Sequence, residues 1–173
     1  MKTILDAKET QMAIEKMAKE IVEEAGVLDS LVLVGIRKRG VPLAQRIADR
    51  IRETKKKEIP VGLLDINLYR DDLSRLDYHP VIGKTEIPCP VDEKTVFLVD
   101  DVLYTGRTIR CAMDALFDLG RPSAIKLAVL VDREGRELPI QGDVIGIHCP
   151  AADKENVCVR LKETDGKDEV NVE

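Results

Sequence analysis

The chain of 173 residues has no tryptophan, three tyrosines and two phenylalanines. Stacking platforms for single-stranded RNA need several aromatic rings, so the sequence argues against that mode of binding. The four cysteines, Cys89, Cys111, Cys149 and Cys158, form no Cys-x-x-Cys pair, and His79 and His148 complete no zinc spacing. Free thiols are expected, without a disulfide or a structural metal. A Gly-x-Ser-x-Gly elbow is absent, and with it that route to nucleophilic catalysis. No apolar run approaches the roughly 18–20 residues of a membrane span, and the first residues lack a signal peptide's apolar core. The expectation is a cytoplasmic protein with no membrane partner.

What is present suits a globular fold. Hydrophobic residues make up 44% and charged residues 34%, and a chain of this length buries roughly two thirds of its unfolded surface without staples. One domain over residues 1–173 is expected. The net charge is −5, yet nine basic residues (Arg37, Lys38, Arg39, Arg46, Arg50, Arg52, Lys55, Lys56, Lys57) face only Asp49 and Glu53 between Gly35 and Lys57. A basic patch on an acidic chain fits an anionic ligand at one face.

The hydrophobic period alternates between helix and buried strand. Residues 7–25 place Ile14, Met17, Ala18, Ile21, Val22 and Ala25 on one helical face, ended by Gly26. Leu31–Val34 is a continuous apolar run typical of a strand buried on both faces. Pro42 suits a first helical turn, and Leu43, Ile47 and Ile51 continue that helix. Further strands are expected at Val61–Leu68, Val96–Val99, Ala124–Val131 and about Val144–Ile147, with a helix marked by Ile109–Phe117. Val157–Val159 is β-prone. Residues 69–94, rich in Pro and Asp, read as a long loop or irregular hairpin. The alternation predicts an α/β fold with a doubly wound, mainly parallel sheet, whose ligands bind at the carboxyl ends of the strands.

The most informative stretch is Val96-Phe97-Leu98-Val99-Asp100-Asp101-Val102-Leu103-Tyr104-Thr105-Gly106-Arg107-Thr108. A buried strand runs into two carboxylates and then a hydroxyl- and glycine-rich turn that opens a helix. Converging N–H groups, hydroxyls and the helix dipole make such a turn a phosphate cradle. The carboxylates would repel that phosphate. They suit the hydroxyls of an attached sugar, or a magnesium ion held through water. Together the pattern reads as a binder of ribose 5-phosphate.

This stretch resembles the phosphoribosyl-diphosphate (PRPP) signature of the type I phosphoribosyltransferases. Together with Asp65–Ser74 and Ala128–Ile140 it resembles, over about residues 5–165, the PyrR family of pyrimidine-operon regulators with uracil phosphoribosyltransferase activity. The resemblance implies that Val102–Thr108 bind PRPP, with Thr105–Thr108 on the 5-phosphate and Asp100 and Asp101 on the ribose hydroxyls. Mg2+ would accompany PRPP, with Asp100 and Asp101 reaching it through water or those hydroxyls. Gly35–Gly40 resembles the diphosphate loop, with Arg37, Lys38, Arg39 and Gly40 at the anion; in the family this loop often holds a non-proline cis peptide. Arg39 and Arg70 join the two aspartates as implied catalytic residues, Arg70 on a flexible loop of about 69–94 that closes over PRPP. A small hood over the base is expected from about 131–150 and the C-terminal segment, with Val131, Asp132 and Arg133 at the base.

The implied reaction is uracil plus PRPP giving UMP and diphosphate, in a homodimer or higher oligomer. The family's second role, UMP-dependent binding of a pyrimidine-operon mRNA leader, draws on a Thr-Arg-x-x-His arrangement in the first helix and on later basic residues. Here Lys16 and Lys19 keep two cations on that helix, Glu15 replaces the hydroxyl, and Gln141 and Ile147-His148-Cys149 supply no Lys or Arg. Two alternatives remain open at this point: a UMP-sensing RNA-binding attenuator with vestigial catalysis, and a phosphoribosyltransferase for orotate or a purine.

Overall fold

The computed structural model describes residues 2–71, 83–150 and 155–173. Strand β1 (Lys2–Leu5) leads into helix α1 (Ala7–Ala25), and strand β2 (Leu31–Ile36) into α2 (Gly40–Lys55). Strands β3 (Val61–Leu64) and β4 (Thr95–Leu103) precede α3 (Arg107–Phe117). Then follow β5 (Ala124–Arg133), β6 (Val144–Cys149), β7 (Val157–Arg160), the short α4 (Lys162–Asp165) and β8 (Glu169–Val172). Helix α1 starts on a capping box: Asp6 accepts the Glu9 N–H at 2.8 Å and Glu9 accepts the Asp6 N–H at 2.9 Å. It ends at Gly26, whose φ of +65° suits a residue without Cβ.

Strands β3-β2-β4-β5-β6 form one parallel sheet in that order. Alternation along β2 supplies both faces. Leu31 and Leu33 pack with Ile14, Met17, Ile21, Leu43 and Ile47 beneath α1 and α2, while Val32 and Val34 pack with Ile109, Ala112 and Leu116 of α3. The doubly wound expectation holds. The chain leaves β2 toward β3 on one side and returns at β4 on the other, so the switch point lies between β2 and β4.

Several boundaries differ from the sequence reading. The strand expected to reach Leu68 stops at Leu64, because the Asp65 carboxylate accepts the Asn67 N–H at 2.8 Å and starts a 3-10 turn over Asn67–Tyr69. Strand β4 continues past Val99 to Leu103, since Asp100 pairs with Val129 and Val102 with Val131. The acid pair therefore stands inside the strand, not in the turn. Likewise Asp132 and Arg133 extend β5 two residues past Val131, where that strand was expected to end.

A second, three-stranded antiparallel sheet, ordered β1-β8-β7, joins the two ends of the chain. Residues 144–149 form the edge strand of the main sheet, two residues longer than the strand expected at about Val144–Ile147, with Val144 and Cys149 buried in the core under α1. Of the loop expected over 69–94, residues 72–82 lie outside the described set, as do 151–154. The loop's return is held by an antiparallel bridge between Leu63 and Glu86. All four cysteines are free thiols. Among the described residues no helix is long and apolar enough to cross a membrane.

Candidate active site

Two turns meet at the switch point. The Gly35–Gly40 turn leaves β2, and the Tyr104–Thr108 turn leaves β4; Gly35 and Val99 are register partners in these adjacent strands. Their approach is close enough to require glycine. A Cβ on Gly40 would lie 2.2 Å from the Val99 carbonyl oxygen and 3.3 Å from the Asp100 Cα. The Arg37–Lys38 peptide bond is cis, as the resemblance implied for this loop.

Asp100 is buried, with 6% of its surface exposed, and Asp101 is half-buried. Burial first, and then the Asp101 charge, pushes the Asp100 carboxyl well above the usual carboxylate range. One Asp100 oxygen accepts the Asp101 N–H at 2.9 Å, and an Asp101 oxygen accepts the Val102 N–H at 3.0 Å. These bonds fold the two carboxylates back along their own strand. A close acid pair of this kind suits adjacent sugar hydroxyls, which donate to a carboxylate and accept from a protonated one.

The turn that follows is braced from outside. The Thr105 carbonyl accepts the Glu137 and Leu138 N–H groups at 3.0 and 3.1 Å. Arg107 donates through Nε to Glu137 at 2.6 Å and through Nη1 to Asp71. Gly106, at φ +93°, caps α3, and the Thr105 hydroxyl accepts the Arg107 N–H at 3.3 Å. Thr108 shares a pocket of about 160 Å³ with Ile66, Arg70, Asp71, Arg107 and Cys111. The structure thus brings Arg70 beside the turn that the resemblance implies holds the phosphate.

The implied base residues lie beside that turn. The Arg133 guanidinium stacks over the Tyr104 ring at 3.9 Å. Gly135, at φ +112°, contributes to the same wall: a Cβ there would stand 2.3 Å from that ring. Arg133 also donates to the Glu155 carbonyl at 2.8 Å. Asp132 accepts from Arg136 Nη2 at 2.5 Å and faces His148 Nδ1 at 3.4 Å. Val131 is wholly buried in β5 and presents no side chain to a ligand.

The basic turn distributes its cations unequally. Arg37 donates to the Lys84 carbonyl through Nε and Nη2, at 3.2 and 3.0 Å. Arg39 instead makes a fork with Asp165, Nε to Oδ2 at 3.0 Å and Nη2 to Oδ1 at 2.9 Å. That carboxyl is held down to about 2, first by Arg39 and then by the Leu161 N–H. Farther off, Lys16 donates to the Ile145 and Gly146 carbonyls at 3.1 and 3.4 Å and pairs with Glu20 at 3.7 Å. Lys19 pairs with Glu23 at 3.9 Å. Asp165, Glu137 and Arg136 contact the implied site residues Arg39, Arg107 and Asp132, and periodicity could not identify them. The Arg136-Glu137 pair carried a signal only in its likeness to the family's motif.

The phosphoribosyl transferase domain family matches residues 1–164. The chain is 53% identical over 167 residues to the bifunctional protein PyrR of Pelotomaculum thermopropionicum, covering 96% of this chain and 92% of that one. It is 56% identical over 169 residues to the bifunctional protein PyrR of Chloroflexus aurantiacus, with 98% and 93% covered. The chain belongs to the PyrR family of phosphoribosyltransferases.

The same fold recurs in more distant phosphoribosyltransferases. A hypoxanthine-guanine phosphoribosyltransferase of Bacillus anthracis superposes with a TM-score of 0.73 at 18% identity, over 95% of this chain and 93% of that one. A hypoxanthine phosphoribosyltransferase of Trypanosoma cruzi gives 0.74 at 18% identity, over 99% and 90%. In this phosphoribosyltransferase the acid pair of β4 lies beside the two turns that leave the adjacent strands β2 and β4.

Proposed function

We propose that this PyrR-family chain transfers the ribose 5-phosphate of PRPP to uracil, forming UMP and diphosphate. The observation that carries the reading is the packing of Gly40 against Val99 and Asp100. It sets a cationic turn beside the acid pair, with the Thr105–Thr108 turn next along the same strand. Thr105–Thr108 bind the 5-phosphate through backbone N–H groups and hydroxyls at the start of α3. Asp100 and Asp101 orient the ribose hydroxyls, and the Gly35–Gly40 turn receives the diphosphate. Tyr104, Asp132 and Arg133 border the base.

The bond from C1 to diphosphate oxygen breaks as the bond from a uracil nitrogen to C1 forms, and the nitrogen's proton is released to solvent. The transition state carries oxocarbenium character and a departing diphosphate, so positioning and electrostatics supply the acceleration without a covalent nucleophile. Arg70, beside Thr108, adds positive charge near the phosphate groups. Among the described residues no group of three metal-ligating side chains occurs. A pair of carboxylates fits Mg2+ that keeps most of its ligands as water and substrate oxygens. Bound in that way, Mg2+ would neutralise charge on the diphosphate, while Asp100 and Asp101 reach it through water or the ribose hydroxyls.

A second role, UMP-governed binding of a pyrimidine-operon mRNA leader, is supported by the bifunctional naming of the relatives. It is also supported by a groove between α1 and α2 where Lys16 and Lys19 stand with Arg50 and Lys55. Glu15 and Glu23 line the same groove and weaken its field. A homodimer would present two such patches to one RNA. The test of the enzymatic reading is a turnover panel with PRPP, Mg2+ and uracil, orotate, hypoxanthine or guanine. Uracil alone should give its nucleotide at an appreciable rate. Faster turnover with orotate or a purine would reassign the substrate.

A further inference from the structure

We infer that Asp165 is a positioning residue for the diphosphate turn: it grips one edge of Arg39 and leaves the other edge to the substrate anion. The inference rests on the reading of Gly35–Gly40 as that turn. Arg39 spends Nε and one Nη2 hydrogen on Asp165. Its other three N–H groups, on Nη1 and Nη2, have no partner among the described residues. An arginine offers a second planar fork along that end, matched to phosphate oxygens. The Asp101 charge also raises the Arg39 pKa, so the guanidinium lies within electrostatic reach of the sugar-side acid pair.

Asp165 is well anchored for this task. Its Oδ2 also accepts the Leu161 N–H at 2.9 Å, so its own turn fixes the carboxylate. Seven residues along α2 from Arg39, on the same face, Arg46 forks onto Glu163 at 2.8 and 2.6 Å and onto Asp168 at 3.0 and 2.8 Å. The 162–168 segment thus lies along the start of α2, held by two arginines. Arg46 serves that attachment alone. Arg39 belongs to the turn as well, and a free arginine there would have to be immobilised by the substrate. Asp165 immobilises it beforehand, and preorganisation of this kind appears in ground-state affinity for PRPP.

The experiment measures kcat and both KM values, with calorimetric PRPP binding in Mg2+, for wild type, Asp165→Asn, Arg39→Met, their double variant and Glu163→Gln. Asp165→Asn should raise KM for PRPP about tenfold, the scale of one newly immobilised side chain, and leave kcat and KM for uracil within about twofold. In the Arg39→Met background it should add nothing, because the two act as a unit. Glu163→Gln, which loosens the same attachment at Arg46, should leave KM for PRPP unchanged. Asp165→Glu keeps charge and fork, and should recover most of the affinity; should Asp165→Asn fail to fold, Asp165→Ser, which also loses the fork, replaces it with the same expected rise in KM for PRPP. An unchanged KM for PRPP in Asp165→Asn, an additive double variant, or an equal rise in Glu163→Gln overturns the inference. A wild-type protein that neither binds nor consumes PRPP removes the underlying reading, and the inference with it.

Discussion

Replacing Asp100 by Asn should stabilise the ligand-free protein while impairing turnover. The carboxylate is buried between β4 and its neighbours, and burial with the Asp101 charge raises its pKa well above the usual range. Asn keeps the oxygen that accepts the Asp101 N–H at 2.9 Å and removes the charge. Removing it gains about 2 kcal/mol, the upper end for a single stabilising substitution, and burying the new amide donor costs about 1 kcal/mol. The net gain of about 1 kcal/mol corresponds to a melting temperature roughly 2–4 °C higher at this chain length.

The pH dependence has a defined sign. Below about pH 4 the carboxyl is protonated in both folded and unfolded chains, so the gain from removing the charge vanishes, the cost of burying the amide remains, and the variant should melt no higher than wild type. As pH rises above that value the unfolded chain releases its proton first, and wild type loses stability that the variant keeps. Calorimetric melts between pH 4 and 8 in chelator, at fixed protein concentration, read this directly. A variant less stable than wild type at pH 8, or a difference that does not grow with pH, would refute the reasoning.

Arg46→Met leaves Glu163 and Asp168 facing each other without their shared cation, and should cost about 2–3 kcal/mol, or roughly 4–12 °C in a melt. Gly40→Ala drives a methyl into the Val99 carbonyl at 2.2 Å; it should destabilise by about 1–3 kcal/mol and raise KM for PRPP more than KM for uracil in steady-state kinetics. Lys16→Glu with Lys19→Glu should remove leader-RNA binding in a gel-shift titration and spare UMP synthesis. That binding should be weak and fall steeply with salt, by about 0.7–0.9 log units per log unit of salt for each RNA phosphate that the protein neutralises.

Local pattern made the helices and central strands legible, because each is amphipathic or continuously apolar over its full length. Residues 7–25 gave the whole of α1, including its Gly26 stop. Strand ends were harder. Polar residues such as Asp100 and Asp101 carry no strand signal, yet the parallel ladder to β5 holds them extended. Conversely, the apolar Ile66 and Leu68 looked like strand until the Asp65 side chain turned the chain. The small sheet was missed as a unit, since β1 and β8 pair across nearly the whole sequence and neither four-residue strand is persuasive alone.

The acid pair and both anion turns were visible because their chemistry lies in contiguous residues. Gly40 was visible only as a loop residue; its need to lack a Cβ comes from Val99 on the neighbouring strand. What holds Arg39 was invisible for the same reason. Asp165 lies 126 residues away, in a polar C-terminal stretch with no periodicity to single it out.

The most direct measurement follows PRPP carrying a labelled 5-phosphate through turnover with uracil and Mg2+, in wild type and in the Asp100→Asn, Asp101→Asn double variant. The account predicts one labelled UMP and one diphosphate for each PRPP consumed by wild type, and no UMP from a double variant that remains folded. PRPP consumed without UMP, or full turnover by the double variant at saturating PRPP, would contradict it.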